Sequence, residues 1–189
     1  MTAARAEQTD GELVELCLAG DRQAFAEIVR RHKIQIYRIV VRLVGDEDEA
    51  LDILQEAFVA AHAALRRYDR ARPMGAWLTR IAINKARDWR RRRIVRRLIW
   101  AILPIEHAAD TPDDAPSPEI AASDRQELAR VAKAIDRLPA NLREVLILRT
   151  LEGQSQAEAA EILGISEKAV ETRLYRARRT LTERLESSD

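Results

Sequence analysis

The chain has 189 residues, 33% of them charged and 4% aromatic, a length that allows one or two domains. Its single cysteine, Cys17, excludes an internal disulfide, and His32, His62 and His107 lie too far apart in sequence to suggest a metal site. The net charge of +1 conceals an asymmetry: Arg80 to Arg97 holds nine basic residues and one acid, Asp88, whereas Pro104 to Glu127 holds seven acids and one arginine.

Helical periodicity runs through the chain and no segment alternates with period two, so the expected fold is all-α. A first helix is predicted over 11–19, with Cys17 in its apolar run and Gly20 at its end. Asp21 is placed to cap a second, whose apolar positions include Phe25, Ile28, Val29, Ile36 and Val40; Gly45 ends it. Asp46 opens a third helix, with Glu49 three residues later as in a capping box, and this helix extends to about Arg67. Within it, "DILQEAF" sets Leu51, Leu54 and Phe58 on one side and Asp52, Gln55 and Glu56 on another, an acidic face open to a partner. Taken alone, such a face is most often merely solvated.

"YDRARPMG" reads as a loop, and Pro73 suits the first turn of a fourth helix that continues to about Trp100. Trp77 and Ile81 lie along one side of that helix, with Trp77 read as core. Asn84, Arg87, Asp88 and Arg91 lie along another. A basic helix with tryptophans could serve a membrane surface or nucleic acid, arginines on phosphates and aromatics near bases. No run approaches the roughly 18 uncharged apolar residues needed to span a bilayer. The N-terminus lacks the basic start and apolar run of a secretory signal, so the expected location is cytoplasmic.

Four of the six prolines fall in "LPIEHAADTPDDAPSPEI", where missing backbone donors and scarce large apolar residues predict a flexible acidic linker. Helices are then expected near 123–138 and 141–151. Ser155-Gln156-Ala157-Glu158 forms a capping box, Gly164 can end the helix it opens, and Ser166 can cap the next. Val170, Leu174, Ala177 and Leu181 recur at helical spacing and should face inward. Lys168, Glu171, Thr172, Arg173, Tyr175 and Arg176, with Arg178 and Arg179, cover the other faces. Helix, short glycine-containing turn, helix is the helix-turn-helix pattern, whose second helix enters the DNA major groove.

With "DILQEAF", "AWLTRIAINKARDWRRRR" and "LPANLREVLILRTLEGQSQAEAAEILGISEKAVETRLYRARRTL" in this order, the chain resembles the bacterial RNA polymerase sigma factors of the extracytoplasmic-function (ECF) group. The resemblance implies two small helical domains, an N-terminal one at 1–103 and a C-terminal one with the helix-turn-helix at 123–189, joined by the flexible acidic linker at 104–122. It implies that Asp52, Gln55 and Glu56 bind the clamp helices of core RNA polymerase. It also implies that Tyr68, Asn84, Lys85, Arg87, Asp88 and Arg91 read and melt the minus-ten element. Ser166, Lys168, Glu171, Thr172, Arg173, Tyr175 and Arg176 would read the minus-thirty-five element. The implied partners are core polymerase, promoter DNA and an anti-sigma factor, with no cofactor, no metal and no enzymatic activity of the chain's own. Two positions depart from the family pattern. Met74 stands where an aromatic residue often precedes the "WL" pair. Glu171 stands where a basic or small residue is common, so it is expected to accept from a cytosine amino group or to orient an arginine. The rival readings are a sigma-like mimic that titrates an anti-sigma factor and a plain helix-turn-helix regulator. The arginine-rich "RDWRRRR" and "RLYRARR" argue against the first, and the N-terminal motifs against the second.

Overall fold

The computed structural model describes residues 7–102 and 121–187, with the backbone alone at 97–102 and 121–125. Eight α-helices and no strand occur among the described residues: α1 (Asp10–Leu18), α2 (Arg22–Val44), α3 (Glu47–Ala64), α4 (Met74–Ile102), α5 (Ala121–Asp136), α6 (Ala140–Leu146), α7 (Gln156–Leu163) and α8 (Glu167–Glu186). A 3-10 turn (Leu65–Arg67) follows α3, and a π-helical turn (Ile147–Leu151) extends α6. The expected linker lies mostly outside the described residues; its last two positions, 121 and 122, belong instead to the start of α5.

Local chemistry sets most helix ends. Asp21 and Asp46 accept from the backbone N–H groups of Gln23 and Glu49, satisfying donors that a helix start leaves open. Gly45 closes α2 at φ 75°, a left-handed conformation that favours glycine. The third cap differs from expectation: Asp46 caps α3, but the Glu49 carboxylate accepts from the Trp89 indole N–H at 2.5 Å, tying α3 to α4 across 40 residues.

Helices α1–α4 form the N-terminal half, with α2 packed against α1, α3 and α4. Ile28, Ile36, Ile39, Val40 and Leu43 of α2 are buried against Ala50, Ile53, Ala57, Phe58 and Ala61 of α3 and Leu78, Ala82, Ile83, Ala86 and Trp89 of α4. The alanine stripe lets helix axes approach closely, and each buried Ile or Leu contributes roughly 1.5–3 kcal/mol. The sequence reading is corrected here: Leu51 is exposed, Leu54 half-buried, and the α3 seam runs through Ala50, Ile53, Ala57 and Ala61. Trp89 is buried with the Arg93 guanidinium 5.0 Å over its ring, whereas Trp77 is half-buried with its ring 5.0 Å from that of Tyr68.

In the C-terminal half, "VLIL" (Val145–Leu148) is buried at four consecutive positions, which a one-sided helix does not do. Leu146 faces a small cluster with Leu138 and Ala177, while Val145, Ile147 and Leu148 join the main core together with Ala159, Ala160, Ile162 and Val170. One apolar core is therefore shared by both halves. The π turn helps: its extra residue shifts the register after Leu146, and Gly153 at φ 67° reverses the chain into α7.

An acid–base network fastens α1 to α2. The buried Glu27 accepts from Arg30 Nε and Nη2 at 2.7 Å each and from Arg31 Nε at 2.9 Å, while Arg31 and His32 also reach Asp10. Those hydrogen bonds, Arg30's foremost, hold the Glu27 carboxyl down to about 2 from an ordinary 4.5. A depressed carboxylate stabilises the fold fully above its ordinary range and loses that contribution as pH falls through the folded value. Glu27→Gln is therefore expected to lower the melting temperature at pH 7, with the gap to wild type closing between about pH 4.5 and 2; thermal melts across that range check it.

Candidate nucleic-acid interface

The helix-turn-helix is built as its sequence indicates. Ser155 and Glu158 form a reciprocal capping box at the start of α7, with bonds of 3.1 and 2.7 Å. Gly164 ends α7 at φ 66°, and Ser166 Oγ accepts from the Ala169 N–H at 3.2 Å to open α8. Val170 and Ala177 are buried, with Leu174 and Leu181 half-buried beside them. That inward stripe leaves Lys168, Glu171, Thr172, Tyr175 and Arg176 on one exposed face, and Arg173 half-buried at its edge. Arg179, not among the expected readers, extends the face and pairs with Glu183 at 3.2 Å. Three of these side chains are partly engaged: Thr172 Oγ1 donates to the Lys168 carbonyl at 2.9 Å, and Lys168 pairs with Glu171 at 2.9 Å. Tyr175, 65% exposed, offers a ring for base or sugar contact.

Each of the residues expected on α4 and its preceding loop is engaged within the protein, but they do not converge: Asn84, Arg87, Asp88 and Arg91 line one groove against α6, Lys85 turns to α3, and Tyr68 lies in the loop. Arg87 makes a two-pronged pair with Glu144, Nε to Oε1 at 2.7 Å and Nη2 to Oε2 at 2.6 Å, which pushes the guanidinium pKa up; Arg87 Nη1 donates to Asn84 Oδ1 at 3.1 Å. Asp88 pairs with Arg91. Lys85 reaches Glu56 of α3 at 3.2 Å, and Arg92 approaches the same carboxylate at 3.8 Å. Tyr68 is buried, its hydroxyl donating to the Arg72 carbonyl at 2.5 Å; it shapes the loop from within, and burial raises its pKa. Met74 is also buried, filling the core where it departs from the family pattern.

On α3, Asp52, Gln55 and Glu56 lie on one exposed face, as their spacing requires. The structure adds two apolar side chains there, Leu51 at 46% and Val59 at 71% exposure. At helical spacing, Leu51, Gln55 and Val59 form one row beside Asp52 and Glu56, a mixed apolar and acidic patch.

Residues 28–94 match the sigma-70 region 2 family and residues 128–181 the sigma-70 region 4 family. The chain is 39% identical over 184 residues to the RNA polymerase sigma factor CnrH of Cupriavidus metallidurans, covering 96% of each. It is 40% identical to NccH of Alcaligenes xylosoxydans (95% of this chain, 96% of that one) and 34% identical to the ECF sigma factor SigM of Mycobacterium tuberculosis (94% and 85%). The chain belongs to the ECF sigma factors. Among solved structures, it is similar to CnrH in complex with the cytosolic domain of CnrY, at a TM-score of 0.68 and 34% identity over 95% of this chain and 99% of that one. It is also similar to the sigma factor RpoE in complex with the anti-sigma factor NepR from Bartonella quintana, at 0.64 and 25% over 86% and 96%. No helix among the described residues is long and apolar enough to cross a membrane.

In this sigma factor the region 4 half lies against the region 2 half. Five ion pairs join them among the described residues: Arg87–Glu144 at 2.6 Å, Arg90–Asp136 at 3.1 Å, Arg38–Glu152 at 3.4 Å, Arg72–Glu161 at 3.9 Å, and Arg42–Glu152. In every one the region 2 half supplies the arginine and the region 4 half the acid. Asp136 also receives Arg143 at 2.5 Å, and Arg80 lies over the turn glycine Gly164. Sequence reading singled out none of Glu144, Asp136 or Glu152, because nothing local marks an acid whose partner is 46–114 residues away.

Proposed function

We propose that the chain, acting in the cytoplasm, binds core RNA polymerase and directs it to a defined set of promoters. The exposed α3 face with Asp52, Gln55 and Glu56 contacts the polymerase clamp. The α4 residues Asn84, Lys85, Arg87, Asp88 and Arg91 act at the minus-ten element, with Tyr68 shaping the adjoining loop. The α8 face, from Ser166 and Lys168 through Glu171, Thr172, Arg173, Tyr175 and Arg176, acts at the minus-thirty-five element. The division of labour is that of an N-terminal domain at 1–103 and a C-terminal domain at 123–189. One observation supports this reading above the others: two separate basic helices stand in the region 2 and region 4 halves, one for each element of a two-element promoter. The relatives solved with CnrY and NepR support a protein inhibitor of the anti-sigma kind as a further partner.

The test is run-off transcription with core polymerase on a promoter library, with and without the chain. Initiation that depends on the chain supports the reading, and the selected sequences define both elements. Core binding without initiation would favour a mimic, and DNA binding without core binding a plain regulator. On a selected promoter, Arg176→Ala is expected to weaken binding by about 1–3 kcal/mol, relaxing specificity at one position, with the melting temperature unchanged because the side chain is exposed. Fluorescence anisotropy measures both affinities, and equal values would remove Arg176 from the base contacts.

A further inference from the structure

Helix α4 outruns the core that holds its first half. Its last buried side chain among the described residues is Trp89, yet the helix continues to Ile102. Past Arg91, the last residue proposed for the minus-ten element, comes "RRIVRRLIWAI" at 92–102, with four arginines, seven apolar residues and no acid. A helix turns by about 100° per residue. Positions 92, 93, 96 and 97, all arginine, therefore fall in one arc of about 140°, and positions 94, 95, 98, 101 and 102, all apolar, in an opposite arc of about 120°. By the same count Ile99 falls at the border and Trp100 among the arginines. The side chains described in this stretch agree with the pattern. Ile94 and Val95 are 54% and 53% exposed, and Arg92 and Arg96 are exposed as well. Arg92 lies 3.8 Å from Glu56, a loose contact between exposed groups that leaves its charge available.

The pairing of the two faces selects the partner. Nucleic acid draws on arginines but has no apolar surface along its backbone to receive Ile94 and Val95. A bilayer with anionic headgroups matches both faces: arginines meet the phosphates, aliphatic side chains enter the acyl boundary, and tryptophan suits headgroup depth. At about 1.5 Å per residue the stretch is roughly 17 Å long, short of a hydrocarbon core of about 30 Å, so its length suits lying along a surface and not crossing it. We propose that residues 92–102 of α4 form an amphipathic docking segment that holds the free chain on an anionic lipid surface. The segment contains no residue assigned to polymerase or promoter, so the proposal stands or falls apart from the sigma reading.

The test sediments the full chain with vesicles of phosphatidylcholine containing roughly 30% phosphatidylglycerol, and with phosphatidylcholine alone, at about 0.1 M salt. Binding to the anionic vesicles is expected to be roughly tenfold tighter or more. Ile94→Gln with Val95→Gln keeps every arginine and should weaken that binding by roughly tenfold or more. Its affinity for a labelled single-stranded DNA of about 20 nucleotides should stay within about twofold of wild type. Arg92→Gln with Arg96→Gln keeps the apolar face and should weaken lipid binding by about fivefold for each arginine removed. All four side chains are exposed, so the helical circular dichroism should be retained; if the Ile94/Val95 variant loses it, Val95→Gln alone carries the test. Wild type that stays in the supernatant with anionic vesicles would overturn the proposal, as would equal binding to both kinds of vesicle. An Ile94/Val95 variant that binds lipid as tightly as wild type would reduce the segment to a bare run of charge and overturn it too. A folded Ile94/Val95 variant that loses DNA and lipid binding together would assign the segment to nucleic acid instead.

Discussion

Truncating Leu148 to alanine is expected to lower the unfolding free energy by about 2–5 kcal/mol and the melting temperature by about 4–20 °C. Leu148 is fully buried, sits in the π turn, and belongs to the cluster that both halves share. Removing it deletes apolar burial and leaves a cavity that two independently anchored halves cannot easily close. Leu151, at the end of the same turn and 43% exposed, provides the comparison: Leu151→Ala should change stability by no more than about 0.5 kcal/mol. Urea denaturation of both variants measures the difference. Near-equal values would mean that the turn carries no part of the core. A broadened or two-step transition for Leu148→Ala would identify it as the link that makes the halves unfold together.

What the sequence disclosed follows the range of the forces involved. Caps are local, so Asp21, Gly45, Asp46, Ser155, Gly164 and Ser166 could each be placed from neighbouring residues, and the structure puts each at a helix end. The inward stripe of α8 was legible because Val170, Leu174 and Leu181 mark it at helical spacing, with Ala177 falling in register between them. The α3 seam was misread because alanines carry little weight in a hydrophobic pattern, although Ala50, Ala57 and Ala61 are what permits close packing. Glu49 was assigned to its own helix start and is instead held by Trp89 from α4, a contact with no local signal. The π turn, which begins within the apolar run Val145–Leu148, carries no local mark that separates it from ordinary helix. Above all, the acids that meet Arg87, Arg90 and Arg42 lie in the other half, where only the folded chain brings them near.

The correction on α3 leads to the largest functional effect expected. Leu51 and Val59 are kept out of the core, yet flank Gln55 on the face proposed to meet the polymerase clamp. An exposed apolar row bordered by carboxylates has the composition of an interface centre with a charged rim. Val59→Asp places a charge where the partner would have to desolvate it. Core-polymerase affinity is expected to fall by about 2 kcal/mol or more, roughly 30-fold. Stability should stay within about 0.5 kcal/mol, because Val59 is 71% exposed in the free chain. Binding of single-stranded DNA should be nearly unchanged, since Val59 lies outside both basic helices. Glu56→Ala should act differently: its carboxylate pairs with Lys85 and Arg92, so its loss also frees two cations on α4 and should strengthen DNA binding slightly. Competition for core polymerase against a labelled sigma factor, run beside DNA anisotropy, resolves the two patterns. If Val59→Asp competes as well as wild type, the α3 face is solvated surface and the clamp contact lies elsewhere on the chain.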